Sequence, residues 1–455
     1  MKDRIAILSA AMLLLASCAG TSEKKEIVLV TLDPGHFHSA LVQKTRLPGV
    51  SKDVYVYAPD GADLDAHLGR IEAYNSRPDD PTDWNEIVYR GDDFLQRMTA
   101  EVPGNVVVIS GNNSRKTEYI RRSLEAGLNV LGDKPMAINA AQYDELRNCF
   151  EIARSKGLLL YDVMTERFEI TTVLQKELSA IPAIFGTQKA GTPEEPGVIM
   201  TSVHNFYKNV SGSALIRPAW FYDVRQQGES ITDVMTHLVD LVGWECFPEQ
   251  ALYPHDVVIN SSRRWYTTLS AAQFKASTGL DEYPEFLAPD VQDGVLKVLS
   301  NGEINYCLKG INARVTALWQ YETPEGGDSH FSMLRGTKSD LVIRQGADGG
   351  FLPQLYIEPS DGSAVSDDSR YANEVTAAFA ALAQRYPGIE LEPLSHGWHV
   401  LIPDSYRVGH EAHFAQVESN FLEYLEHGTM PAWEEPCTLT KYFITTRARE
   451  LGKIE

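Results

Sequence analysis

Cysteine is scarce in this chain, five in 455 residues, and no two of them form a CxxC pair. That spacing excludes a zinc ribbon and a dense disulfide framework. Positive charge is also in deficit. Lys and Arg number 41 against 62 Asp and Glu, and the formal charge of −21 argues against nucleic acid and anionic membrane surfaces as partners. The sequence contains no GxGxxG and no HExxH, no internal repeat and no low-complexity block. Beyond residue 17 no apolar run is long enough to cross a bilayer as a helix. What is present, 43% hydrophobic and 9% aromatic residues, is ample for packed cores. At roughly 150 residues per domain the length suggests two or three domains.

Lys2 and Arg4 precede an apolar run at 5–16 that is too short to span a bilayer of roughly 30 Å. It ends in Leu15-Ala16-Ser17-Cys18, which resembles the bacterial lipobox. Residues 1–17 therefore read as a lipoprotein signal peptide, Cys18 as the lipid-bearing residue and 18–25 as a tether, which implies a cell-envelope protein whose membrane contact is its anchor. An ordinary signal peptide with an incidental cysteine is the alternative. Removing the leader takes away two basic residues and one acidic one and leaves −22, so the acidity belongs to the folded part. Cys149, Cys246, Cys307 and Cys437 leave one or two disulfides open.

Apolar runs at 27–32, 54–57, 106–109, 129–131 and 158–161 read as buried strands. They alternate with helical patterns around 40–42, 115–126 and 140–155, an order that calls for a parallel sheet covered on both faces. A charged, Pro-containing stretch to about residue 89 carries no clear element. From about 184 to 359 short strands dominate, with one helix expected at 231–242 and late helices at 374–385 and 413–426. The expected architecture is an α/β, Rossmann-like doubly wound parallel sheet over 26–162, then an α+β domain over 163–455 with a large, open, mainly antiparallel sheet.

In a doubly wound sheet the dinucleotide lies beyond the strand C-termini, where the amides of the first turn and a helix N-terminus face its diphosphate. Asp33, Gly35, His36, Phe37 and His38 stand at that place. Gly35 is the one glycine of the loop, and His38 takes the position where a third small residue would let helix and strand close up. Asp60, 25 residues after Gly35, is the candidate for the ribose hydroxyls. A plain strand-turn-helix with structural histidines is the alternative.

The next motifs carry more. VVVISGNN at 106–113 followed by LEAGLNVLGDKPMA at 124–137 resembles the glucose-fructose oxidoreductase / inositol dehydrogenase (Gfo/Idh/MocA) family. In that family a small-polar loop lies under the nicotinamide ribose and a later strand ends in Glu-Lys-Pro. The resemblance implies an NAD or NADP cofactor contacted by Gly111, Asn112, Asn113, Lys116, Asp133, Lys134 and Pro135, and the envelope anchor, where free cofactor is scarce, implies that it is tightly held. Lys116 replaces a common His, Asp133 replaces the Glu, and Val163 replaces a common Gly.

At 228–240 the spacing puts Asp233 and His237 on one face of the expected helix, with Asp240 beyond them. A carboxylate beside an imidazole can orient it and raise its basicity, which suits a general base; for an isolated DxxxH, an ordinary amphipathic helix is the better reading. It follows the Lys134 motif by about 100 residues, and the family has an Asp-x-x-x-His on the helix facing the nicotinamide. The resemblance therefore assigns Lys134, Asp233 and His237 as the catalytic set, with a Lys134 whose pKa is lowered relaying the proton. It covers about 26–244.

Arg167 stands where the family often has Arg at the mouth of the second domain. Trp220, Tyr222, Gln227 and Asp240 complete the expected substrate contacts, since aromatic rings flanked by amides and charges suit a sugar. His410-Glu411-Ala412-His413 has the wrong spacing for HExxH, and no metal is expected.

The reading that results is an NAD(P)-dependent oxidoreductase acting on a hydroxyl of a sugar or glycoside, C3 with a 3-keto product among the options. Two rivals stand beside it, the first offered by the family and the second by the loss of glycines from the first loop. One is an NAD-dependent glycosidase working by transient C3 oxidation and elimination; the other is a carbohydrate-binding lipoprotein without catalysis. Homo-oligomers through the open sheet are common in the family.

Overall fold

The computed structural model describes residues 26–210, 213–323, 327–364 and 370–455. The leader, Cys18 and the tether to residue 25 lie outside the described residues. Among the described residues no helix is long and apolar enough to cross a membrane.

Six parallel strands form the first sheet: β1 (Leu29–Leu32), β2 (Asp53–Ala58), β3 (Asn85–Arg90), β4 (Val106–Ile109), β5 (Asn129–Asp133) and β6 (Leu160–Val163), in the order β3-β2-β1-β4-β5-β6. β1 and β4 are buried along their whole length, as continuous apolar runs require when helices cover both faces. The order reverses between β1 and β4, so the crevice above their C-termini is the switch point. Helices α1 (His38–Leu41), α2 (Ala62–Ser76), α3 (Phe94–Glu101), α4 (Lys116–Glu125) and α5 (Ala140–Lys156) connect these strands. Asn139 caps α5 by accepting from the Gln142 N–H, and Gly157 ends it in the left-handed region.

Helix α6 (Ile170–Ser179) leads into an eleven-stranded sheet. Its strands run in the order Glu390–Leu394, Gly397–Leu401, Gln354–Pro359, Ser339–Gln345, Ser329–Arg335, Val198–Asn205, Ile311–Gln320, Val295–Leu308, Val257–Ser270 and Lys453–Ile454, with Val291–Gln292 pairing on Val295–Leu308. Two of the pairings are parallel, Val198–Asn205 with Ile311–Gln320 and the short one at Lys453–Ile454. The buried face of this sheet packs on α6, α7 (Met235–Cys246), α9 (Arg370–Arg385) and α11 (Glu434–Leu451) around Leu174, Met235, Val242, Ile304, Val315, Leu341 and Val375. Two further helices complete the domain, α8 (Ala271–Thr278) and α10 (His410–His427), the latter packing back on the first sheet through Phe414, Val417 and Phe421.

Several boundaries differ from the sequence expectation. Helix α7 begins at Met235 rather than 231, because Gly228 sits at φ +96° and residues 231–234 form turns. Helices α2 and α3 occupy the stretch left unassigned before and after residue 89. α2 buries only Leu64, His67 and Ile71 among charged neighbours, too sparse a stripe to read. α11 was missed for a related reason: its inner face is largely polar, with Thr438, Thr440, Lys441, Thr445 and Thr446 buried. Cys149, Cys246, Cys307 and Cys437 are all free thiols.

Candidate active site

β5 ends at Asp133 and delivers Lys134 into the cleft between the two sheets. The Lys134 ammonium donates to Asp233 Oδ1 at 2.8 Å, and both side chains are nearly enclosed. Gln227 Nε2 donates to the other carboxylate oxygen, also at 2.8 Å. The β4 loop fixes this arrangement from below. Asn113 donates its side-chain amide to Gln227 O at 2.7 Å and its backbone N–H to Gln226 O, while Asn112 Nδ2 reaches Gln226 Oε1 at 2.7 Å. Asp233 is thus bound on both oxygens, one to a cation and one to an amide.

The charge state of Lys134 differs from the sequence expectation. Burial by itself would lower its pKa, but Asp233, Asp133 and Asp162 surround the ammonium and raise it above the ordinary lysine value. Lys134 is therefore a fixed cation at neutral pH. His237 is the opposite case. Burial, with Lys134 and His410 adding positive charge, holds its pKa well below the ordinary value, so the imidazole is neutral. Its Nδ1 is buried without a hydrogen-bond partner. The expected Asp233–His237 pairing is absent from the described contacts, since the two Asp233 oxygens belong to Lys134 and Gln227.

Three expected substrate contacts are corrected. Arg167 is buried and fully engaged, Nε and Nη2 to Asp240 at 2.6 and 2.8 Å and Nη1 to Glu434 at 2.9 Å. Asp240 in turn also accepts from Lys441 Nζ at 3.1 Å. A guanidinium and a carboxylate engaged in this way spend most of their hydrogen-bonding capacity on a buried network rather than on a sugar. Tyr222 is 1% exposed, donates to Ser277 Oγ at 2.7 Å and packs on Phe206 and Phe274. The buried network extends further. Lys441 pairs with Asp162 at 2.8 Å, Tyr442 donates its hydroxyl to Asp162, and Met136 N donates to Tyr442 Oη at 2.9 Å. Helix α11 thereby braces the loop that carries Lys134 and Pro135.

The turn after β1 keeps one device of a dinucleotide loop. Asp33 adopts φ +46°, the left-handed conformation that the first glycine of such a loop supplies, and is held by the Tyr119 hydroxyl at 2.7 Å. Gly111 closes on it so tightly that a Cβ there would meet Asp33 O at 2.3 Å. The space above Gly35, however, is filled. A Cβ on Gly35 would lie 3.2 Å from both Trp220 Cζ2 and Asp63 Oδ2, and Trp220 Nε1 donates to that same Asp63 oxygen at 2.9 Å. The N–H groups of Gly35 and His36 are directed to Ser110 O. A diphosphate needs those amides and that space, and a carboxylate repels it. In the described conformation Trp220 and Asp63 narrow the space above Gly35, while Asn113 and Lys134 line the same crevice. Asp60, beyond the end of β2, is exposed and pairs with Arg90 at 2.7 Å.

His36, His38 and Asp133 converge beside Lys134. His38 Nδ1 lies 3.0 Å from Asp133 Oδ2, and His36 Nδ1 lies 3.8 Å from the same oxygen. Ser110 Oγ donates to Asp133 Oδ2 at 2.7 Å and Lys116 Nζ to Asp133 O at 2.8 Å. Burial lowers the Lys116 pKa to about 8. Phe37 packs against His36 with the rings tilted by 36° and their centroids 4.6 Å apart. Reading the sequence missed Ser110, Asp63, Gln226, Asp162, Lys441, Tyr442 and Glu166. Glu166, on the turn after β6, has its carboxyl pushed up to about 7 by burial and by Glu169, partly offset by Lys134. The adjacent Gln226 and Gln227 offered one legible signal, whereas nothing local marked the others.

A model of the oxidoreductase family's NAD-binding Rossmann fold (GFO_IDH_MocA) matches residues 57–162. A second model, described as "Putative oxidoreductase C terminal domain", matches residues 174–453. The crystal structure of a "putative oxidoreductase" from Parabacteroides merdae is 52% identical, with a TM-score of 0.91 over 94% of this chain and 97% of that one. A 3-ketoreductase from Actinomadura kijaniata, in complex with NADP and TDP-benzene, shares the fold at 13% identity and a TM-score of 0.56 over 94% of this chain and 98% of its own. Among curated proteins, "Uncharacterized oxidoreductase YhhX" of Escherichia coli is 31% identical over 104 residues, 23% of this chain and 29% of its own length.

Proposed function

This chain belongs to the Gfo/Idh/MocA family of NAD-binding oxidoreductases, and from that we propose that its cleft acts on a hydroxyl-bearing carbon of a sugar or glycoside. The observation that carries the reading is the Lys134–Asp233 pair at 2.8 Å, set beside a neutral, half-buried His237 whose Nδ1 is enclosed and unpartnered. Lys134, held as an ammonium, polarises the reacting oxygen and stabilises negative charge on it. His237 accepts the hydroxyl proton and later returns it. Asp233, tethered by Gln227, positions Lys134 without taking the proton itself. Trp220, partly buried at the edge of the cleft, offers a ring face that suits the apolar side of a sugar.

Hydride exchange with a tightly held NAD or NADP belongs to this reading when Trp220 and Asp63 leave Gly35. What the described side chains do by themselves is hold a charge and move a proton. The elimination chemistry of a glycosidase is a second reading, favoured by Glu166, whose carboxyl titrates near neutrality under the influence of Lys134 and so supplies a base that the sequence left unassigned. The reading extends to a lipid-anchored envelope protein modified at Cys18, and the mass of the mature N-terminus checks that part.

The test is incubation of the purified full chain with a panel of glycosides, after mass analysis of any nucleotide released on denaturation. Keto-sugar formation supports the oxidoreductase, and released aglycone without keto-sugar supports elimination. Turnover that survives Lys134→Ala removes the site assignment.

A further inference from the structure

We propose, resting on the reading of the cleft as a sugar site, that Ser202, His204 and Lys208 form a second subsite on the wall that the large sheet supplies. It takes a neutral polyhydroxylated ring joined to the ring that reacts at Lys134, so the substrate is a disaccharide or a longer glycoside.

Sheet register brings the groups together. Met200, Ser202 and His204 alternate onto one face of Val198–Asn205, and Met200 belongs to the core on that face. Ser202 stands opposite His330 of Ser329–Arg335, and His204 opposite Trp319 of Ile311–Gln320. His204 Nδ1 lies 3.4 Å from Asp328 Oδ2, and Lys208 Nζ donates to that oxygen at 2.6 Å. The other oxygen, Asp328 Oδ1, accepts from Asn205 N and Nδ2 at 3.2 and 3.1 Å. A carboxylate fixed in this way favours the imidazole proton on Nδ1 and leaves the His204 Nε2 lone pair as an acceptor. That nitrogen and the Ser202 hydroxyl are buried without hydrogen-bond partners, a state that calls for one. The side chains of His204, Lys208 and Asp328 keep 26%, 30% and 24% exposure, so the cluster can be reached from solvent.

The cluster shares the crevice of the reacting groups and is separate from them. Desolvation lowers the pKa of His410, at the start of α10, and the charges of His38, His413, Lys134 and Lys208 lower it further. Lys134 and Lys208 are thus both within electrostatic reach of one imidazole. On the other side the buried Arg217 guanidinium feels both Asp328 and Asp233. Among the described contacts, no hydrogen bond or ion pair ties His204, Lys208 or Asp328 to Lys134, Asp233 or His237. Two incompletely satisfied polar sets in one cleft fit a substrate with two hydroxylated units.

The chemistry of the groups selects a neutral ring. A sugar hydroxyl can donate to His204 Nε2 while it accepts from Lys208, whose ammonium has protons to spare beyond the one given to Asp328. Asp328 at the centre disfavours a carboxylate or phosphate, and Lys208 disfavours an ammonium. Trp319, its ring centroid 5.2 Å from that of His204, adds aromatic surface beside the hydroxyl contacts.

The experiment measures binding to the full chain by calorimetry, with disaccharides of glucose, galactose and mannose against the matching methyl glycosides. At least one disaccharide is expected to bind tenfold or more tightly than its methyl glycoside. His204→Asn, which keeps an amide towards Asp328 and removes the atom at the Nε2 position, is expected to bring that ratio to about one. Lys208→Met is a second variant with the same expectation should His204→Asn misfold. A ratio near one for every pair in the unaltered protein, or a ratio that survives both variants, overturns the proposal. Binding is read without turnover. A disaccharide preference erased by His204→Asn, with neither keto-sugar nor aglycone formed, supports the subsite and removes the proposed reaction; keto-sugar formation with the ratio intact in both variants does the reverse.

Discussion

Trp220 stands directly over Gly35, its ring carbon Cζ2 3.2 Å from where a Cβ on that glycine would be. The contact joins an aromatic residue of the second domain to the one glycine of the first domain's nucleotide loop. Asp63 locks it by accepting from the indole N–H, and burial raises the pKa of that carboxyl above the usual carboxylate value. Replacing Trp220 by Ala and Asp63 by Asn should open the slot and remove the charge that repels a diphosphate. Dinucleotide affinity, followed by quenching of tryptophan fluorescence or by calorimetry with NAD and NADP, should rise at least tenfold. An unchanged affinity would mean that Trp220 is not what obstructs the slot.

The Lys134–Asp233 pair makes a separate demand. Lys134→Ala should lower kcat by about 10²–10³, the range for loss of one group that stabilises developing charge. It should also cost about 3 kcal/mol of stability, because Asp233 is left buried with only Gln227 as a partner. The double variant Lys134→Ala, Asp233→Ala should recover part of that stability and none of the activity. Chemical denaturation beside steady-state assays separates the two effects.

Tyr442 serves as a brace. Tyr442→Phe removes the acceptor of the Met136 N–H and the donor to Asp162 together, both buried. A loss of about 1–3 kcal/mol is expected. With the Lys134 loop loosened, kcat should fall while KM changes little, and hydrogen exchange at 134–138 should quicken.

Glu166 carries a pH signature. Its folded pKa of about 7 lies above the unfolded value near 4.3 because burial disfavours the carboxylate. The folded state then binds more protons than the unfolded one between those values, so stability from this group is complete below about pH 4 and is lost as pH rises through 7. Glu166→Gln should flatten that decline, and at pH 8 it should stabilise the protein by on the order of 1–2 kcal/mol after allowance for partial exposure. Thermal melts from pH 5 to 8 read the slope.

Five of the six strands of the first sheet were legible as apolar runs stopped by turns, whereas β3, NEIVYR with most of its positions exposed, carries no such run. Lys134 was legible because it follows such a run. Asp233 was found by spacing, but its partner was misjudged: a four-residue interval suggests two side chains on one helical face, and Gly228 instead turns the chain so that helix α7 starts only at Met235. Arg167 and Asp240 were recognised as unusual and given the wrong task, since charged residues in a cleft and charged residues in a buried network look alike until burial is known. His36 and His38 were visible as a pair, yet their convergence with Asp133, 95 residues beyond His38, is a product of the fold alone.

The Met136–Tyr442 hydrogen bond spans 306 residues. At translation rates of about 5–20 residues per second, the segment bearing Lys134 leaves the ribosome about 15–60 s before the helix that secures it. The first domain can therefore collapse on its own core while its reactive loop is still unsecured. A chain stalled anywhere between those points exposes a crevice without a finished catalytic surface, and competence arrives late in synthesis, when α11 docks.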